Sequence, residues 1–137
     1  MNEANTKWLW DNCPKLYKDM YGDPMKTGLS WGIECGGDGW FEMIKELSLK
    51  LEKLINKYIK DYPDDIYIPT AAQVKEKFGS LRFYMSGGTE EMCQLIENAE
   101  NLSEEICEEC GKKGKIGEDC GGWLMTRCDD CWEKINK

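Results

Sequence analysis

The chain has no histidine among its 137 residues. That removes the commonest general acid and base, the commonest partner of a serine or cysteine nucleophile, and the commonest catalytic zinc ligand. Most hydrolase chemistries are thereby excluded. No apolar run approaches the length that spans a bilayer. The opening stretch MNEANTKWLWDNCPK has neither a basic start nor a long apolar core, so it does not read as a signal peptide. The expected compartment is the cytosol, where thiols stay reduced. A basic face is also missing. The net charge is −8, of which −6 falls in residues 1–104 and −2 in residues 105–137. A nucleic-acid reader needs cations to neutralise phosphates, and Lys112, Lys113 and Lys115 make only a small patch. Repeats and low-complexity segments are absent.

Cysteine is plentiful, with eight residues. Cys107, Cys110, Cys128 and Cys131 form two CxxC pairs with 17 residues between them. Each pair sets two thiolates on one side of a tight turn, and two pairs close a tetrahedron around Zn²⁺. Four thiolates leave no open coordination position, which makes the expected zinc structural. One Zn²⁺ with four thiolates would add −2 to that segment. Gly111 follows the first pair, where a knuckle turn favours glycine. Gly122 to Thr126 reads as a strand. Cys128 precedes a short helix with Trp132 and Ile135 facing inward. Knuckle, hairpin and helix together describe a treble-clef-like module, with a zinc ribbon as the rival. Cys120 is an alternative ligand, although Gly121-Gly122 beside it reads as a turn. Cys13, Cys35 and Cys93 have no partner spacing, and Cys93 is expected as a small buried hydrophobe.

Residues 1–104 read as an α+β unit with an aromatic-rich N-terminal segment, and residues 105–137 as the zinc module. A short helix is expected from Pro14 to about Met20. A long one should start after Asp38 and end near Tyr62, before Pro63. Its apolar stripe is Trp40, Ile44, Leu47, Leu51, Leu54, Tyr58 and Tyr62, widened by Met43 and Ile55. Glu46 and Lys50 form a surface i,i+4 pair. A β-hairpin follows. Val74 and Phe78 lie on one side of its first strand, Lys75 and Lys77 on the other, and Gly79-Ser80 is the turn. In the second strand Leu81, Phe83 and Met85 oppose Arg82 and Tyr84. Thr89 caps a second helix that leads to Cys107. The simplest arrangement packs both helices on one face of the hairpin, or of a small antiparallel sheet.

The segment Gly32–Phe41, GIECGGDGWF, puts glycines and an aspartate before the long helix. Such loops can bind anions. This one has no Lys or Ser/Thr in the phosphate-cradling positions, so a tight turn with Asp38 as helix cap is the expectation. Six tryptophans are present, four of them in the first 40 residues. Exposed ones would mark a binding surface, since aromatics dominate interface hot spots.

The segments WGIECGGDGWFEMI, QVKEKFGSLRFYM, and ICEECG with GGWLMTRCDDC resemble a family of small uncharacterised proteins of phage genomes and prophage regions. The resemblance covers roughly residues 30–132, and KEKFGSLRFY is its most distinctive run. Where relatives carry a histidine as last ligand this chain has Cys131, and either completes a zinc site. The resemblance implies a phage accessory product in a bacterial cytoplasm, a class that often binds and blocks a host protein or immune signal. It implies no activity.

Three functions follow. The leading one is a non-enzymatic, zinc-stabilised protein that engages a host protein. Its candidate surface is Trp31, Asp38, Trp40, Lys75, Lys77, Arg82 and Tyr84. The alternative is sequestration of a nucleotide-type signal by the same cations and rings. Nucleic-acid binding through the zinc module is disfavoured by the module's charge. The sequence leaves the oligomeric state open.

Overall fold

The computed structural model describes residues 1–135 other than Pro24 and Lys26, and Trp31 by its backbone alone. It is an α+β structure. The elements are α1 (Glu3–Asn12), a 3-10 helix at Gly28–Trp31, β1 (Ile33–Glu34), α2 (Phe41–Asp61), β2 (Thr70–Lys77), β3 (Ser80–Ser86), α3 (Glu90–Ser103), β4 (Lys115–Glu118), β5 (Leu124–Arg127) and α4 (Asp129–Ile135). Among the described residues no helix is long and apolar enough to cross a membrane.

The N-terminal helix lies earlier than its apolar pattern suggests. Asn2 caps α1 by accepting the Asn5 N–H at 2.8 Å, and Glu3 sits in the first turn. Pro14 follows directly after the C-cap Cys13, and the residue before a proline is held out of the helical region. The helix expected at Pro14–Met20 is absent, replaced by consecutive turns. Buried Glu52 of α2 takes the N–H groups of Lys15 and Leu16 at 2.8 and 3.1 Å, and its carboxylate is thereby satisfied within the fold. Leu16, Tyr17 and Met20 drop into the core, with the Tyr17 hydroxyl 2.6 Å from Ser48 of α2.

In α2 the first part of the expected stripe holds: Ile44, Leu47 and Leu51 are buried. Beyond Leu51 the core face continues through Ile55, while Leu54 and Tyr58 are half-buried and Tyr62 is exposed. On a 3.6-residue helix Tyr62 falls back in line with Ile44, so its exposure reflects its place at the C-cap, two turns past the last buried residue Ile55. Glu46 and Lys50 are not within ion-pair distance of each other, unlike the expectation; the ion pairs among the described residues lie elsewhere.

The main sheet has the order β1-β2-β3, with β1 parallel to β2 and β2 antiparallel to β3. The parallel strand β1 has no counterpart in the sequence reading, since two residues carry no period. The hairpin turn is Phe78-Gly79 and not Gly79-Ser80, because Ser80 pairs with Lys77. Both turn residues have positive φ, 55° and 79°, as the tight turns that match strand twist require. Phe78 therefore stands exposed at the tip and not on the buried face. The β3 edge is covered by α3: Ser103 accepts the Leu81 N–H at 2.9 Å and Glu100 accepts the Phe83 N–H at 3.0 Å. An edge strand with its outward donors satisfied offers no template for another strand. Thr89 caps α3 through the Met92 N–H, as expected.

Candidate metal centre

The two CxxC pairs converge at the end of the chain. Cys107 and Cys110 sit on a knuckle in front of β4, Cys128 closes β5, and Cys131 lies in the first turn of α4. Knuckle, antiparallel hairpin and helix follow in the treble-clef order. The four sulfurs lie within 4.8 Å of one another, and Cys110 Sγ is 3.5 Å from Cys128 Sγ. Tetrahedral thiolate sites have metal–sulfur bonds of about 2.3 Å, which puts their sulfurs about 3.8 Å apart. The spacing fits, no disulfide links the cysteines, and the four could hold a metal ion. Cys107, Cys128 and Cys131 are buried and Cys110 is at the surface.

The local electrostatics favour a cation. Burial works against a thiolate at Cys107, yet the N–H groups of Cys110, Cys128 and Glu109 outweigh it and bring this thiol down to about 6. At Cys131, burial followed by the neighbouring cysteines pushes the thiol up to about 12. Cys107 thus ionises readily while Cys131 resists ionising beside it; a divalent ion would remove that conflict.

The knuckle is built by backbone bonds. Cys107 N–H donates to Lys112 O at 2.7 Å and Gly111 N–H to Cys107 O at 3.0 Å, with Gly111 at φ 81°. Glu108, between the ligands, clamps the knuckle to β5: its N–H donates to Thr126 O at 2.9 Å and its carboxylate accepts the Thr126 N–H at 2.6 Å. Burial pushes that carboxyl up to about 7, against the pull of the Thr126 N–H and with the help of Glu76. Trp132 of α4 is buried and donates its indole N–H to Lys115 O at 3.2 Å. It lies across Gly117, where a Cβ would come within 2.8 Å of the ring.

The glycine loop before α2 is seated on this knuckle. Gly39 N–H donates to Glu108 O at 2.8 Å, and a Cβ at Gly39 would lie 2.0 Å from Cys107 O. A Cβ at Gly37 would lie 2.5 Å from Glu108 O. These glycines serve close backbone approach. The hairpin tip docks beside them, where the Thr126 hydroxyl donates to Gly79 O at 2.6 Å. Asp38 is not the helix cap; Trp40 occupies that position without a side-chain bond. Asp38 instead ties down α1, accepting the Asn2 N–H at 2.7 Å and the Asn5 side chain at 3.3 Å. The Asn2 N–H holds its carboxyl below the usual range.

Of the expected binding surface, Trp40 is 1% exposed and donates its indole N–H to Ile106 O at 2.8 Å, so it is core. The Trp31 side chain lies outside the described residues. Lys75 and Arg82 sit opposite each other across β2 and β3. Tyr84 and Lys77 are exposed on the same hairpin, and the Lys77 ammonium lies over the Phe78 ring. Trp10 and Trp123 are the exposed tryptophans among those described, whereas Trp8 packs edge-on against Phe41 under the Lys45 ammonium.

Cys120 is exposed and outside the cluster, which removes it as a ligand. Cys93 is exposed and not buried as expected, because its position falls off the inner face of α3. Cys13 and Cys35 are buried, and burial raises both thiols to about 12, where they are inert as nucleophiles. Glu52, Glu108 and Thr126 are the structural residues that sequence reasoning missed. Their partners are backbone groups 18 or more positions away, which no local pattern reports. Compared with family models, curated protein sequences and solved structures, the chain gives no match.

Proposed function

We propose that this is a non-enzymatic binding protein in which zinc acts as a staple and the hairpin face engages another protein. Zinc is the metal that suits four thiolates in a closed tetrahedron, and such a site has no position for substrate. The resemblance to phage-encoded proteins makes the partner a host protein in a bacterial cytoplasm. One observation carries the reading: the metal module's own groups are turned inward to hold the hairpin tip, through Thr126 and Gly79. The metal thereby stiffens a neighbouring surface. On that surface Lys75 faces Arg82 of β3 on one side and Glu34 of β1 on the other, so the row Glu34-Lys75-Arg82 keeps one cation in excess. With Tyr84 exposed nearby, these two cations on a chain of net charge −8 suit an acidic protein surface.

The test is capture from bacterial lysate on immobilised, zinc-loaded protein. One protein should be retained in stoichiometric amount and lost with K75E/R82E, while metal content and circular dichroism stay unchanged. No stoichiometric partner, or one indifferent to K75E/R82E, sinks the reading. A thermal-shift screen covers the rival: a clear upward shift with a cyclic or linear nucleotide would move the same cations and ring to nucleotide sequestration.

A further inference from the structure

The helices α2 and α3 run antiparallel and leave a groove along their outer side. Tyr58 and Tyr62 at the end of α2 share a cleft with Glu90 and Glu91 at the start of α3. Met43 and Leu47 at the start of α2 share another with Ala99 and Leu102 at the end of α3. Between them lies a stretch bounded by Lys53, Lys57, Leu54, Glu91 and Leu95. The floor is apolar: Leu54 and Leu95 are half-buried, and Leu102 is 48% exposed.

The two walls carry opposite charge. Lys50, Lys53, Lys57 and Lys60 follow one another along α2 at steps of three and four, which sets them on one ridge. None of them is ion-paired with an acid among the described residues, and neither is Glu90 or Glu91. A polyanion entering the groove would meet the two glutamates. A basic partner would meet four lysines. The complement of a groove with one cationic wall, one acidic wall and a leucine floor is a helix pair with the same pattern reversed. A second copy of this chain supplies it.

We propose that the α2–α3 groove is the contact surface of a homodimer in which each copy lays its α2 over the other's α3. A two-fold axis parallel to the helices keeps every residue at its own height along the groove. Lys57 and Glu91 line the same clefts, so Lys57 and Lys60 of one copy face Glu90 and Glu91 of the other. Leu54, Leu95 and Leu102 then pack at the centre, and the four helices form a bundle-like layer. The hairpin face with Lys75 and Arg82 takes no part in this contact, so the dimer stands or falls independently of the host-partner reading.

The experiment is sedimentation equilibrium of the zinc-loaded full chain at micromolar concentration. The expected mass is twice 15.8 kDa. K57E/K60E and E90K/E91K should each weaken the dimer by more than about 100-fold, because two close charge pairs turn repulsive on both sides of the axis. An equimolar mixture of the two variants should regain the dimer mass as a one-to-one heterodimer. That rescue excludes misfolding as the cause of either loss. A wild-type chain of monomer mass overturns the proposal, as does a dimer indifferent to both reversals. So does a monomer whose lysate partner is lost with K57E/K60E, which would give the groove to that partner.

Discussion

Residues 1–104 enclose a continuous apolar core that runs from Leu9 and Tyr17 through Ile44, Leu51, Val74 and Leu81 to Met92 and Ala99. Residues 105–135 bury little beyond Cys107, Cys128, Cys131 and Trp132. Side chains such as Leu51 and Ile44 each contribute about 1.5–3 kcal/mol by leaving water. The C-terminal segment has too few of them to offset its chain entropy, and a metal ion held by its four cysteines would take over the role of a core. Beside Ile106, which packs against that core, the two parts meet through hydrogen bonds to backbone carbonyls: Gly39 on Glu108, Trp40 on Ile106, Thr126 on Gly79. One part is held by area and the other has four thiols placed for a metal ion, and the joint between them includes hydrogen bonds that depend on glycine.

Removing the metal, or Cys107→Ser, should have the largest effect, since metal binding contributes on the order of 10 kcal/mol to such a segment. Amide resonances of residues 105–135 should collapse toward random-coil positions, while those around Ile44, Leu51 and Leu81 keep their dispersion. Loss of dispersion throughout would mean that the two parts are one cooperative unit, and the contrast would break. Leu51→Ala, at a fully buried position, should cost about 2–5 kcal/mol in urea unfolding while leaving the affinity for zinc within a few-fold. Gly39→Ala tests the joint. Its Cβ would collide with Cys107 O at 2.0 Å, so a loss of about 2–4 kcal/mol is expected, with weakened metal retention against a chromogenic chelator. Gly36→Ala, with nothing within 4 Å, is the control and should stay within about 0.5 kcal/mol.

The smallest effect should come from Asp38→Asn. The folded carboxyl titrates below its ordinary value, so its contribution is present above the unfolded aspartate pKa of about 3.9 and fades as pH falls through the lowered one. Because the group is exposed, the difference from wild type in urea midpoint should amount to less than about 1 kcal/mol at pH 7 and vanish by about pH 2. A difference that persisted in acid would assign the effect to the Asn2 geometry and not to charge.

The metal cluster, α3 and the hairpin strands could be read in the sequence because each is specified over a short span: CxxC spacing, a threonine cap, two-residue alternation. The failures cluster where a distant group decided the outcome. Pro14–Met20 forms turns that are tied to Glu52 of α2, 36 and 37 residues away. Asp38 left the α2 cap because Asn2 claims it. Trp40 was open to two readings, apolar stripe and binding surface, because the partner that settles it, the Ile106 carbonyl, is 66 residues on. The glycines of the α2 loop were recognised as a turn, yet their main service, fitting under the Cys107 and Glu108 carbonyls, depends on a module far along the chain.

The Trp40 indole bond has a temporal side. During synthesis Gly39, Trp40 and Gly79 leave the ribosome well before Cys107 does. Domains and subdomains tend to organise in that order, N-terminal first. The indole donor, the Gly39 N–H and the Gly79 carbonyl therefore emerge before their counterparts, while α3, which covers the hairpin edge, emerges just ahead of Cys107. A metal ion captured there would meet these groups as α3 docks on the hairpin, and not a free peptide. The nascent chain carries its own mould for the knuckle, and a variant that delays the mould should leave four unsheltered thiols open to oxidation during translation.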